Sequence, residues 1–110
     1  MPKLRDSRRH IWYRQKKKRG YDDRDLWSLD TTIAKFVLPR LISFKEGVCG
    51  YPGNLTMEEW NKILDQMIYS MQGLSDEWEG KCPEGDIRKH EKRINKGIAL
   101  FGKYFRCLWW

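Results

Sequence analysis

Two stretches near the start of the chain place cations and flat rings within a few residues of one another: Arg8-Arg9-His10-Ile11-Trp12-Tyr13-Arg14 and Lys16-Lys17-Lys18-Arg19-Gly20-Tyr21. Arginine forks and lysine ammonium groups bind phosphate oxygens, and aromatic faces stack on bases for roughly 1 to 3 kcal/mol each. A nucleotide or a nucleic acid needs both kinds of group. Arg9, Arg14, Lys17 and Arg19 are therefore the candidate phosphate ligands, and Trp12, Tyr13, Tyr21 and Trp27 the candidate stacking rings. Tyr21 and Trp27 also bracket the first turn of an expected helix, whose free amides attract anions. The same residues allow a plainer reading, in which a solvated basic tail packs Trp12 and Tyr13 on the domain, Trp27 belongs to the core and Tyr21 closes a helix end.

Charge placement supports the first reading. Between residues 1 and 19, nine Lys and Arg face Asp6 alone, a net +8, whereas the whole chain carries +7, so the other 91 residues carry −1. The positive field sits on the arm and can steer an anion toward it.

Residues for catalysis are harder to find. General acid-base work usually draws on histidine, and His10 and His90 have no triad setting. No GxSxG, HExxH or phosphate-cradling glycine loop is present. The acids Asp22, Asp23, Asp25 and Asp30 read as helix-start residues and partners for the basic arm. No enzymatic activity and no cofactor are expected. Cys49, Cys82, His90 and Cys107 could in principle gather round a metal, but zinc motifs bring ligands in close pairs and these are isolated, so no metal is expected.

Three widely spaced cysteines make a poor disulfide framework and suit a reducing compartment. No stretch approaches the roughly 20 apolar residues of a membrane span, and no apolar segment follows the basic N-terminus as in a signal peptide. A cytoplasmic protein without membrane contact is expected.

At 110 residues the sequence predicts a basic N-terminal arm, residues 1–19, extended or partly helical, and one helical domain, residues 20–110. The expected fold is all-α, a small three-helix-type domain. The first helix starts at a cap on Asp22 or Asp23, buries Leu26, Leu29, Ile33, Phe36 and Val37 on one face, kinks at Pro39 and stops at Gly47. The second has a capping box in Thr56-Met57-Glu58-Glu59 and a hydrophobic staple between Leu55 and Trp60. Its buried face, Ile63, Leu64, Met67, Ile68 and Met71, runs to a stop at Gly73, with a separate turn expected around Trp78. The third begins near Asp86 and carries a heptad-like seam of Ile87, Ile94, Ile98, Phe101, Phe105 and Leu108.

Gly97 and Gly102 each weaken an isolated helix by roughly 1 kcal/mol, so both predict close approach of another backbone. Trp109 and Trp110 at a chain end are expected to be covered, since a frayed end would leave two indoles in water. Together with the seam, these features predict a homo-oligomer built through the last helix.

Three blocks resemble a widespread set of small tailed-phage proteins: Arg19-Gly20-Tyr21-Asp22-Asp23-Arg24-Asp25-Leu26-Trp27-Ser28-Leu29-Asp30; Gly50-Tyr51-Pro52 with Thr56-Met57-Glu58-Glu59-Trp60; and Gly97 to Phe105 before Trp109-Trp110. The resemblance spans residues 19–110 and leaves out the arm. It implies a phage accessory role in the infected bacterial cell. Such proteins often counter host defences, and one class sequesters cyclic nucleotide signals in oligomeric pockets. The leading expectation is therefore a sponge for a nucleotide second messenger that works without catalysis. The alternative is a nucleic-acid-binding or protein-blocking inhibitor, such as an anti-CRISPR protein, and a third is a small structural or assembly protein.

Overall fold

The computed structural model describes residues 2–81 and 85–109, with side chains from Arg8 onward. The fold is all-α: five α-helices and a terminal 3-10 turn, with no strand among the described residues. None of these helices is long and apolar enough to cross a membrane. The chain divides into two compact units, Met1–Thr32 and Ile33–Trp110.

In the first unit the arm is a continuous helix, α1 (Pro2–Arg19), where the sequence predicts an extended or partly helical segment. Its last turn holds Lys16, Lys17, Lys18 and Arg19, cations suited to the negative end of the helix dipole. Gly20 ends it with φ 85° and donates its amide to the Lys16 carbonyl at 2.9 Å, a left-handed cap that a side chain would strain. A loop leads to the single turn α2 (Arg24–Trp27). Asp22 does the capping there, since its Oδ1 accepts from the Arg24 amide at 2.9 Å, while the Asp23 side chain makes no cap.

The single helix expected from this point to Gly47 is two helices. Ser28, at φ −142° and ψ 77°, separates α2 from α3 (Leu29–Gly47). The Ser28 hydroxyl donates to Asp30, and the Thr32 hydroxyl reaches back to the Asp25 carbonyl at 2.8 Å, so local side-chain bonds compete with the helical ladder. α3 itself runs through Pro39 to Gly47.

The buried face of α3 also differs from expectation. Leu26, Leu29, Ile33 and Phe36 are exposed, Phe36 at 59%, and only Val37 of the predicted set is half-buried. The core takes Ala34, Leu41 and Phe44 instead. Apolar residues cover most of α3's circumference, so more than one three-four series can be drawn along it, and packing selects the one beginning at Ala34.

In the second unit, α4 (Met57–Trp78) and α5 (Ile87–Lys103) form the main helix pair. The capping box on α4 forms as predicted: Glu59 N donates to Thr56 Oγ1 at 3.1 Å, and Thr56 N donates to Glu59 Oε1 at 2.9 Å. Leu55 packs on the core and Trp60 is buried in it, edge-on to Tyr104 at 5.6 Å. Leu64, Met67 and Met71 extend this core. α4 does not stop at Gly73; it continues through Trp78, and the end of the Ile94 side chain lies so close to Gly73 that a Cβ there would have to displace it.

Asp86 caps α5 by accepting from the Arg88 amide at 2.9 Å. Its inward face is Ile94 and Gly97, with buried Tyr104 just past its end, whereas Ile87, Ile98 and Phe105 of the predicted seam are exposed. Gly97 meets Ser70 and the Gln66 carbonyl of α4, so the close approach predicted for it is satisfied within the chain; Gly102 has nothing nearby. Trp109, expected to be covered, is 76% exposed in the single chain, and Trp110 lies outside the described residues.

Candidate functional site

Every candidate ligand-binding residue falls in the first unit, on α1, the following loop or α2. The loop folds back on α1 through Asp23. Its amide donates to Gln15 Oε1 at 3.0 Å, and its carboxylate accepts from Gln15 Nε2 at 2.9 Å and from Arg19 Nη2 at 2.8 Å. Arg19 adds a 3.1 Å bond to the Tyr21 carbonyl and lays its guanidinium on the Tyr21 ring, 4.4 Å from the centroid. The Gln15 and Arg19 hydrogen bonds hold the Asp23 carboxyl below its ordinary pKa.

Beside this clamp lies a second. Asp22 is 1% exposed, and both its oxygens accept from the Arg24 guanidinium, at 3.1 Å from Nε and 2.8 Å from Nη2. A buried carboxylate needs such a fork, and it lowers the Asp22 pKa while raising that of Arg24. The flat face of Arg24 rests on Trp12, 4.3 Å from the ring centroid, and the edge of Trp27 meets Trp12 at 5.9 Å and 80°.

The structure thus joins four of the eight candidates around the loop. Trp12 and Trp27 share one cluster with Arg24, and Arg19 and Tyr21 share the next with Asp23. The other candidates lie elsewhere on α1. Tyr13 and Lys17, one turn apart, make their own pair at 5.3 Å. Arg14 joins Ile11, Gln15 and Lys18 along an open depression of about 420 Å³. Arg9 is exposed and engaged in an interaction of its own. The eight do not line one recess within this unit.

Sequence reading missed Arg24, Gln15 and Lys18. Arg24 could have been found from its spacing two residues beyond Asp22, the reach of a guanidinium to a capping carboxylate. Lys18 stands one turn beyond Arg14, a relation that becomes visible once the arm is known to be helical. In the second unit α5 carries exposed cations at Arg88, Lys92, Lys96 and Lys103, the first three spaced by four along one stripe, which the charge count had hidden within a nearly neutral remainder.

Among the described residues no three His, Cys, Asp or Glu side chains could hold a metal ion. Cys82 lies outside the described residues. Cys49 and Cys107 line a cavity of about 610 Å³ with Tyr51, Pro52, Trp60 and Trp109, and both thiols are free. His90 Nδ1 lies 2.7 Å from the Tyr69 hydroxyl, and Arg93 covers the Tyr69 ring. No protein-family model, curated protein or solved structure matches the chain.

Proposed function

We propose that the protein binds a nucleic-acid strand through α1, as a non-catalytic inhibitor or accessory protein. The observation that carries this reading is the spread of exposed cations along and round the helix: Arg14 and Lys18 share one side, and Arg8, Lys16 and Lys17 are exposed as well. A small nucleotide wants its ligands gathered in one place, whereas a polyanion with a charge every ~1.7 Å of duplex axis is neutralised by cations strung along a rod. Tyr13, 61% exposed, offers a face for a base within reach of Lys17.

The test is a titration of labelled single-stranded and duplex DNA and RNA at several salt concentrations. Binding with a steep salt slope is expected, and Arg14→Gln with Lys18→Gln should flatten that slope by roughly 0.7 to 0.9 per charge removed. No binding even at low salt, or a slope indifferent to these substitutions, overturns the reading.

A second reading keeps the sequestered nucleotide messenger and the phage anti-defence role that the resemblance implies. It is favoured by the exposed rings of Tyr21, under the Arg19 guanidinium, and Trp27, edge-on to the Trp12 ring that Arg24 covers. It requires copies of the chain to close a recess round them. A panel of cyclic di- and oligonucleotides separates the two: one of them would raise the melting temperature and be recovered intact after denaturation. A panel that leaves melting unchanged removes this reading.

A further inference from the structure

The second unit carries an apolar groove that the nucleic-acid reading does not use. Phe36, Val37, Leu41 and Phe44 of α3 form one wall, and Phe101 with Leu108 the other, enclosing about 200 Å³. Phe105, edge-on to Phe101 at 5.5 Å, prolongs the second wall and is 60% exposed. The exposed Ile33 and Phe36 lie along the first. From Ile33 to Phe44 the wall is about 16 Å of helix at 1.5 Å per residue, three turns. Burying aromatic side chains is among the largest gains a small interface can make, and leaving them in water calls for an occupant.

Charge identifies that occupant. Residues 36–44, the first wall, contain Arg40 and no acid, while Lys45 just beyond them is held by Asp65 of α4. Residues 101–108, the second wall, contain Lys103 and Arg106, again with no acid. Arg40 stands in the groove itself, its guanidinium 3.7 Å over the Phe36 ring and one N–H on the Phe36 carbonyl, with further N–H groups to offer. A second copy seated symmetrically would set these cations against themselves. A nucleic acid would satisfy the cations and stack on an exposed phenylalanine, but leave the aliphatic lining of Val37, Leu41 and Leu108 unfilled. An amphipathic helix with an apolar stripe flanked by carboxylates satisfies both, and a groove between two helices is the shape that takes one.

We infer that the groove between α3 and the end of α5 is a docking site for an acidic amphipathic helix of a partner protein. The partner's apolar residues, three and four apart, fill the space over Val37 and Leu41, and its acids meet Arg40 and the cations after Phe101. This site is independent of α1, so either can fail without the other.

The experiment titrates the full chain into a fluorescent synthetic helix of about four turns, with Leu and Phe on one stripe and Glu on its flanks. Controls are the same peptide with Lys for every Glu, and phosphatidylserine vesicles. Saturable binding of the Glu peptide is expected, weakened at least about tenfold by Phe36→Glu or Phe105→Glu and less by Arg40→Gln. Both phenylalanines are exposed, so folding is expected to persist, and circular dichroism checks it; Arg40→Gln tests the charge with the groove intact. The inference is overturned if the Glu peptide does not bind, if the Lys peptide binds as well, or if the variants bind unchanged. It is overturned equally if Phe36→Glu abolishes vesicle binding that the peptide cannot compete away, which assigns the face to a membrane. A dimer dissolved by the same substitution assigns it to a second copy.

Discussion

Ser70 of α4 and Gly97 of α5 lie against each other where the two helices pack closely. The serine hydroxyl, fully buried, has three carbonyls in range, and its single proton goes to the nearest, that of Ile94 at 2.6 Å, with those of Gln66 and Arg93 at 3.2 and 3.3 Å. A Cβ on Gly97 would overlap both Ser70 Oγ and the Gln66 carbonyl oxygen. The second of these is backbone and cannot swing aside. Gly97→Ala is therefore expected to destabilise by roughly 1 to 3 kcal/mol through overpacking, even though alanine is the better helix former. Gly102→Ala, on the same helix with open space around it, should stabilise by up to about 1 kcal/mol. Melting temperatures of the two variants should move in opposite directions; a rise for both would mean the helices do not approach as described.

The contrast between these glycines marks how far the sequence can be read. Thr56 with Glu59, and Asp86, announce helix starts because capping is local chemistry, complete within four residues. The class of fold follows from such signals and from apolar spacing. Gly73 reads locally as a stop, and only the Ile94 side chain arriving from α5 shows that a glycine inside this helix leaves room for a neighbour to pack against it. The inward face of α3 is similarly undecided by its own residues, since Ile33 and Phe36 are as apolar as Leu41 and Phe44 and differ only in what lies opposite. In the first unit, the pairing of Asp23 with the arm is legible from complementary charge. The clustering of Trp12, Arg24 and Trp27 is not, because it depends on Gly20 turning the chain so that residues twelve to fifteen apart meet.

The carboxylates of that unit predict its behaviour in acid. Asp22, Asp23 and Asp30 all have pKa values lowered by hydrogen bonds, from Arg24, Gln15 and Ser28 respectively. A depressed carboxylate binds fewer protons in the folded than in the unfolded chain. Its contribution is present above the unfolded value near 4 and is lost as pH falls toward the folded one. The tryptophan signal of Trp12 and Trp27 should thus be flat above about pH 5 and report loosening below it. Asp22→Asn should blunt that acid response and lower the melting temperature at neutral pH. An acid response unchanged by the substitution would show that Asp22 is not the anchor of Arg24.

Thr56→Ala should cost about 1 kcal/mol, measured by denaturant midpoint, because it leaves the Glu59 amide unsatisfied at the helix start. The double variant with Glu59→Ala should lose less than the two single losses added, since each removes half of one reciprocal box. Strict additivity would mean that the two hydrogen bonds act independently.

Cations on α1 should separate into two kinds when removed singly. Arg19 is committed to Asp23, to the Tyr21 carbonyl and to the Tyr21 ring, so Arg19→Gln should lower the melting temperature and reduce nucleic-acid affinity only as far as the loop loosens. Lys18 lies on the open side of the helix with Arg14, so Lys18→Gln should leave melting unchanged and flatten the salt dependence of binding by about 0.7 to 0.9. Counterion release counts the phosphates neutralised, and a guanidinium already held by a carboxylate releases fewer ions when DNA or RNA arrives. Measuring both quantities for both variants tells a structural clamp from a binding surface. If Arg19→Gln instead flattens the slope as much as Lys18→Gln at unchanged melting temperature, the clamp opens on binding and Arg19 returns to the ligand set.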